Sequence, residues 1–406
     1  MKFFQRNELK LLWIFYLEAF LGTLFYLTAP FSVIYFSSIG LNFFQIGVIF
    51  SAYSLSVFIF EIPTGAFADL YGRKASVRLS FILEGIFLLI IFFIANFYIL
   101  VLLFFLRGFA RTFQSGSYDA WVVDSLKRNK KSNYIHDFFT KMQSFYSLAF
   151  IFSGILGSLA VFYFGLKSIW IFTGLSCFLS LFIISFPEEK FKKRTIKIRN
   201  SFTNLCKQTK NSISHGYSHP VLFFLIIIAF IFGIGGSFEG LISWTSLLKN
   251  YNFPDYGFGY LWSALGVAGI LAPLISKLFL KKNKEKIFLI TVSFLVLIYG
   301  LLVLSSNFLG LLLVLAFAGY FLVDMQHPVQ ETYFNKFIPS KMRATIISIK
   351  SMVISLATII GAPLAGFVVD KFGGKIAVFI FGLSMMPIIV LYLLIDEFKK
   401  IKKSEN

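Results

Sequence analysis

The sequence predicts an all-α membrane protein: twelve transmembrane helices in two pseudosymmetric six-helix bundles, with both termini in the cytoplasm. Three observations lead there. Twelve apolar stretches are each long enough to cross a bilayer, for which about 20 residues suffice. Basic residues crowd into every second gap between them. Several residues of the first half recur in the second at nearly constant spacing.

In chain order the expected spans run 9–37, 44–70, 74–95, 97–127, 133–163, 166–186, 219–248, 257–280, 285–305, 307–335, 340–369 and 375–396. Both termini and the even-numbered connections, with their flanks, hold 29 of the 38 Lys and Arg. The odd-numbered connections hold four, Lys167, Lys249, Lys371 and Lys375. Basic side chains are retained on the cytoplasmic side during insertion, which fixes the expected orientation in the cell's inner (plasma) membrane.

The longest polar interval, 187–218, divides the chain into an N-terminal bundle (1–186) and a C-terminal bundle (219–406). Gly47 and Pro63 recur as Gly257 and Pro273, Gln114 and Asp119 as Gln326 and Glu331, and Lys141 and Gly157 as Lys350 and Gly366. Three span pairs in register argue for duplication, the plan by which many secondary transporters hold a substrate between repeats. Within the interval, Lys190 to His215 mixes apolar and basic residues. It reads equally as an amphipathic helix on the inner leaflet or a solvated tether.

Composition excludes several classes. With 57% apolar residues, 14% charged residues and a mean hydropathy of +0.79, a soluble multidomain enzyme is disfavoured. The net charge of +19 is spread over inner loops, where anionic lipid headgroups attract it, so nucleic acid is not an expected partner. The charged start, Met1 to Lys10, runs into a full-length span and does not read as a cleavable leader. Cys177 in span 6 and Cys206 in the interval offer neither a disulfide nor a metal site. His136, His215, His219 and His327 are scattered, and no cofactor is expected.

Between spans 2 and 3 stands GAFADLYGRK, Gly65 through Lys74. Gly65 removes bulk so that a neighbouring helix can come close. Asp69 puts a carboxylate at the membrane surface. Gly72 permits a backbone turn other residues avoid, and Arg73 and Lys74 face the cytoplasm. A tight, charged turn of this kind suits a gate whose contacts must break. The run resembles the loop signature of the major facilitator superfamily, Gly-x-x-x-Asp-x-x-Gly-Arg-Lys/Arg, and with the twelve-span plan the resemblance covers essentially the whole chain. It implies that Asp69 faces the start of helix 11, where Ser340 is the expected N-cap, and that Arg73 latches to Asp124. A partial echo, Gly366-x-x-x-Asp370-x-x-Gly373, closes span 11. The proton-coupled drug exporters of that family carry a Gly-Pro-rich run in helix 5; here SGILGS (Ser153–Ser158) has the glycines without the proline.

Ionisable residues within spans are costly and need a partner or a task. Asp119 and Lys141 stand eleven residues either side of Lys130 in the turn between spans 4 and 5, and Glu331 and Lys350 nearly flank Ser340 likewise. At 1.5 Å per residue each pair reaches one depth, roughly 15 Å from the inner surface. The spacing predicts two ion pairs, Asp119–Lys141 and Glu331–Lys350, either as structural staples or as a conformational switch. Glu18, Glu239 and Asp324 are the remaining candidates for carrying a proton or touching substrate, since coupling needs an acid that loads and releases near neutral pH. Arg107 and Arg111 share one face of span 4 and repel unless an acid, Glu18 or Glu84, or an anionic substrate intervenes. Gln114, Gln326, His327 and Gln330 give spans 4 and 10 a polar face, and Tyr16, Tyr26 and Trp244 offer aromatic walls.

These features point to a secondary transporter of a small organic solute working by alternating access, for which a monomer suffices. The resemblance favours proton-coupled efflux of lipophilic, drug-like compounds, with proton-coupled nutrient uptake as the second reading. No phosphate loop suggests ATP as the energy source, so a proton or other ion gradient is the expected one. A channel or an intramembrane enzyme is the remote alternative: neither a repeated filter loop nor a His-Glu-x-x-His or Gly-x-Ser-x-Gly motif is found.

Overall fold

The computed structural model describes residue 4 and residues 8–189, 220–280, 284–338 and 343–404. Ser340 and the Lys190–His215 segment lie outside the described residues. Every regular element among the described residues is helical. In order these are α1 (Glu8–Leu24), α2 (Thr28–Ser38), α3 (Phe43–Tyr71), α4 (Arg73–Ile91), α5 (Phe97–Thr112), α6 (Ser117–Arg128), α7 (Tyr134–Phe164) and α8 (Ser168–Ile184). There follow α9 (Pro220–Glu239), α10 (Leu241–Lys249), α11 (Gly257–Phe279), α12 (Glu285–Ser305), α13 (Leu309–Asn335), α14 (Arg343–Phe372) and α15 (Gly374–Ser404).

Ten helical stretches among the described residues are long and apolar enough to cross a membrane. The other two expected spans are helices as well, but fall short of that standard. α8 is apolar yet has 17 residues, about 26 Å of helix. α4 carries Arg73, Lys74, Arg78 and Glu84 in its 19 residues.

Three spans expected to be continuous are broken, at Phe25–Leu27, at Phe113–Gly116 and at Gly240. A break inside a bilayer leaves backbone groups that water cannot satisfy, so side chains must do it. The amides of Leu27 and Thr28 both donate to Thr173 Oγ1, at 3.0 and 3.2 Å. Ser76 Oγ donates to the carbonyl of Phe113 at 2.6 Å. Gly116 holds φ +68° at the second break, where any other residue would be strained.

The chain forms two compact units, and the line between them is not simply the 187–218 interval. One comprises the described residues of Met1–Gly40, Leu55–Ile196 and Pro254–Gly266. The other comprises those of Leu41–Ser54, Lys197–Phe253 and Val267–Asn406. The first two to three turns of α3 thus group with the second half, and those of α11 with the first. Backbone approach explains both exchanges. In the first unit a Cβ on Gly154 would strike the Gly259 carbonyl, and one on Gly259 the Gly154 carbonyl. Ser158 Oγ donates to Tyr256 O, and Ser263 Oγ to Ile151 O, each at 2.6 Å. Small residues that let helices meet and hydroxyls that bond across them are the usual means of helix packing in lipid.

Candidate functional site

At the Gly65–Lys74 motif, Gly72 separates α3 from α4 with φ 100° and ψ 148°, a region open almost solely to glycine. α4 therefore starts at Arg73, and its first amides need acceptors. Glu189 supplies them: its two carboxylate oxygens accept from Arg73 N and Lys74 N, both at 2.9 Å. Lys74 returns the arrangement, its Nζ donating to Ser185 O and Pro187 O at 2.7 Å beyond the end of α8. A carboxylate on a helix start and an ammonium on a helix end each sit where the helix dipole favours them. Neither Glu189 nor this use of Lys74 was foreseen from the motif. Arg73 Nη1 lies 3.3 Å from Asp124 Oδ2. Among the described residues, a Cβ on Gly65 would meet nothing within 4 Å.

Deeper in the first unit, three clusters take up most of the intramembrane charge. Arg107 Nη2 donates to Tyr26 Oη at 2.9 Å and to Glu84 Oε1 at 3.2 Å. Tyr26 Oη also donates to Glu84 Oε1 at 3.1 Å, and the guanidinium lies 4.8 Å from the Phe104 ring centre. Both charged side chains are buried. Of the two acids considered for the arginine pair, Glu84 is thus the one at Arg107. Glu18, also buried, accepts from Tyr118 Oη at 2.7 Å. Arg111 projects from the same helix as Arg107 but is exposed, with Nη1 donating to Gln114 Oε1 at 2.5 Å. Beside it Ser115 and Glu61 are exposed too, with Ser115 Oγ 3.4 Å from Glu61 Oε1.

The predicted Asp119–Lys141 pair is not formed. Lys141 Nζ instead donates to both carboxylate oxygens of Glu8, at 2.7 and 2.6 Å, and Tyr16 Oη completes the cluster on Glu8 Oε1 at 2.7 Å. Asp119 is exposed. Both helices run unbroken from these residues to the turn, but equal distance from a turn does not fix which way a side chain points: Asp119 lies on an exposed face of α6, while Lys141 is buried against Glu8. Tyr16 is accordingly tied to this cluster rather than lining a wall.

In the second unit the corresponding pair does meet: Lys350 Nζ donates to Glu331 Oε1. Glu239 ends α9 at the Gly240 break, accepting on Oε1 from Tyr299 Oη at 2.6 Å and from Trp244 Nε1 at 3.2 Å. Trp244 is buried and serves as that donor. Gln326 Nε2 donates to Ser293 Oγ at 3.0 Å. Gln330 is buried, Asp324 half-buried and His327 exposed. Lys336 pairs with Glu285 at 2.6 Å. No group of three or more His, Cys, Asp or Glu able to hold a metal occurs among the described residues.

The arrangement is one of hydrogen-bond donors and acceptors held at fixed places inside apolar helices. Its chemistry is recognition by charge and hydrogen bonding. An exposed guanidinium within a span is tolerable only where water reaches it, because hydrocarbon cannot solvate it.

The chain is 24% identical over 391 residues to an uncharacterized MFS-type transporter, YxaM, of Bacillus subtilis (strain 168), covering 95% of this chain and 96% of that one. The crystal structure of the nucleoside transporter NupG superposes with a TM-score of 0.72 at 17% identity, covering 94% of this chain and 98% of that one. That of a D-xylose-proton symporter gives 0.70 at 13% identity, over 94% and 97%. At such identities these two establish the fold alone. A sequence profile of the Major Facilitator Superfamily matches residues 14–325 and 294–406, and the chain therefore belongs to the Major Facilitator Superfamily as a multi-pass membrane transporter.

Proposed function

We propose that the protein moves a small organic solute bearing polar groups across the plasma membrane by alternating access, driven by the proton gradient. The observation that carries this is the stretch from Arg107 to Tyr118. It sets a buried Arg107–Glu84–Tyr26 cluster and a buried Glu18–Tyr118 pair beside the exposed Arg111 and Ser115 and the half-buried Gln114. Fixed polar groups next to exposed ones suit a solute that exchanges hydrogen bonds with water for bonds with protein. The known neighbours named for a nucleoside and for xylose with protons are in keeping with such a cargo. Twelve spans with both termini cytoplasmic, in a chain working as a monomer, complete the proposal.

Within it, Glu18 is the proton carrier, with Asp324 and Glu239 as the other acids to be examined. Glu18→Gln keeps an acceptor for Tyr118 while removing the charge. In proteoliposomes this variant should bind solute yet lose at least most of the pH dependence of transport. A pH profile matching the parent's would remove Glu18 from the scheme. Substrate is sought first with a panel of solutes scored by thermal stabilisation of the purified protein at several pH values.

Export of lipophilic compounds is the second reading, supported by the chain's resemblance to the family's proton-linked exporters, from which the run Ser153–Ser158 departs in lacking the proline. Everted vesicles distinguish the directions. Export predicts proton-driven accumulation inside them, and uptake predicts the reverse.

A further inference from the structure

α3 begins on a carboxylate that its own sequence neighbourhood does not supply. The amides of Phe43 and Phe44 donate to Oδ1 and Oδ2 of Asp370, at 2.9 and 2.8 Å. First-turn amides have no acceptor within their helix, and a negative charge there is favoured by the dipole. Asp370 stands near the end of α14, 327 residues from Phe43. Along the same two helices the backbones run nearly in contact. A Cβ on Gly366 would strike the Phe43 carbonyl, and one on Gly47 the Ala362 carbonyl. Ser51 Oγ donates to Ile359 O. The partners descend in α14 as they ascend in α3, so the helices close antiparallel, residue by residue, with Asp370 at the outermost point. All of these residues belong to one compact unit.

The equivalent crossing of α7 with α11 is joined by glycines, serine hydroxyls and stacked or edge-on aromatic rings. At the spacing of 209 that relates Gly157 to Gly366, the counterpart of Asp370 is Val161. At Asp370 the α3–α14 crossing carries a charged clasp where the sequence repeat has an apolar residue. A carboxylate bound to amides is roughly twice as strong as a neutral hydrogen bond. Asp370 is also exposed, so water can take over both partners when the clasp opens. A bond that is strong but wet is suited to being made and broken repeatedly.

We propose that Asp370 is a gating residue, holding shut the end of the transport path opposite the Gly65–Lys74 motif until each cycle breaks its hold on Phe43 and Phe44. The position follows from α3 itself: Phe43 is at one end and Tyr71, within the motif, at the other. The proposal rests on the alternating-access reading, and the test separates the two.

The test uses purified full-length protein in detergent, with Cys177→Ala and Cys206→Ser, and one reporter at a time. Ser51→Cys reports the crossing, where Ser51 is buried. Ser115→Cys reports the stretch beside Glu61, exposed here. Maleimide labelling rates are compared between the parent, Asp370→Ala and Asp370→Asn, with folding checked by size-exclusion elution. Loss of two charge-assisted bonds should speed labelling at position 51 by about tenfold in Asp370→Ala. Asp370→Asn, which keeps one acceptor, should fall between, and it carries the test if the alanine variant does not fold. Labelling at 115 should slow as that at 51 quickens. Rates at 51 unchanged in both variants would overturn the gate. Rates rising by the same factor at 51 and 115 would also overturn it, since that is general loosening. A rise at 51 with none of the opposing change at 115 would leave the clasp standing and overturn alternating access.

Discussion

Lys141 was legible as an intramembrane charge requiring a partner, but the partner was not. Glu8 reads in sequence as one of the charged residues before the first span, and the fold buries it completely against Lys141 and Tyr16. Removing one member leaves the other buried and uncompensated, which typically costs about 3–5 kcal/mol. Lys141→Ala should therefore lower the thermal midpoint of the purified protein sharply, and Glu8→Lys with Lys141→Glu should recover part of the loss. Exchanging Asp119 and Lys141 should recover none, because Asp119 faces away in a separate helix. By contrast Glu331–Lys350 was readable from spacing alone. Both residues lie on helices, α13 and α14, whose facing sides carry them, so that equal distance from the turn brings the two side chains together. The same contrast holds at the motif: Arg73 and Asp124 are adjacent, while Glu189, which fixes the start of α4, carries no signal of its own in the sequence.

Among elements, the informative feature is where a helix stops inside the membrane. Hydropathy cannot see the break at Phe25–Leu27, where the residues are as apolar as their neighbours, and at Phe113–Gly116 the polar Gln114 and Ser115 sit in a span that is apolar overall. The hydroxyls that satisfy them, on Thr173 and Ser76, come from other helices. Close helix crossings were partly legible, since Gly47, Gly157 and Gly366 stood out as repeated positions. Which glycine touches which backbone was not. The α7–α11 crossing makes the distinction measurable. Gly259→Val must displace the Gly154 carbonyl and Ser158, an overpacking that costs about 1–3 kcal/mol. Gly236→Ala places its methyl where nothing lies within 4 Å, and should leave the thermal midpoint unchanged or slightly raised. Equal effects of the two would contradict the crossing as described.

On the scale of the whole molecule, each compact unit takes one segment from the other half of the chain, Leu41–Ser54 in one case and Pro254–Gly266 in the other. A chain cut within the 190–215 interval consequently leaves each piece without two to three turns of helix that its own unit packs. Expressed alone, 1–203 and 204–406 should each aggregate in detergent, and expressed together they should co-purify as a folded pair. Independent folding of either piece would show that the exchanged segments contribute little. By itself the sequence determined that the chain crosses a bilayer repeatedly as helices, which family it resembles and which polar residues sit at membrane depth. Those follow from local composition, because lipid requires long apolar helices and makes every charge within them conspicuous. Only the tertiary structure decided which charge meets which, where helices break and what caps their ends, because those bonds join residues tens to hundreds of positions apart and depend on the direction in which each helix turns its faces.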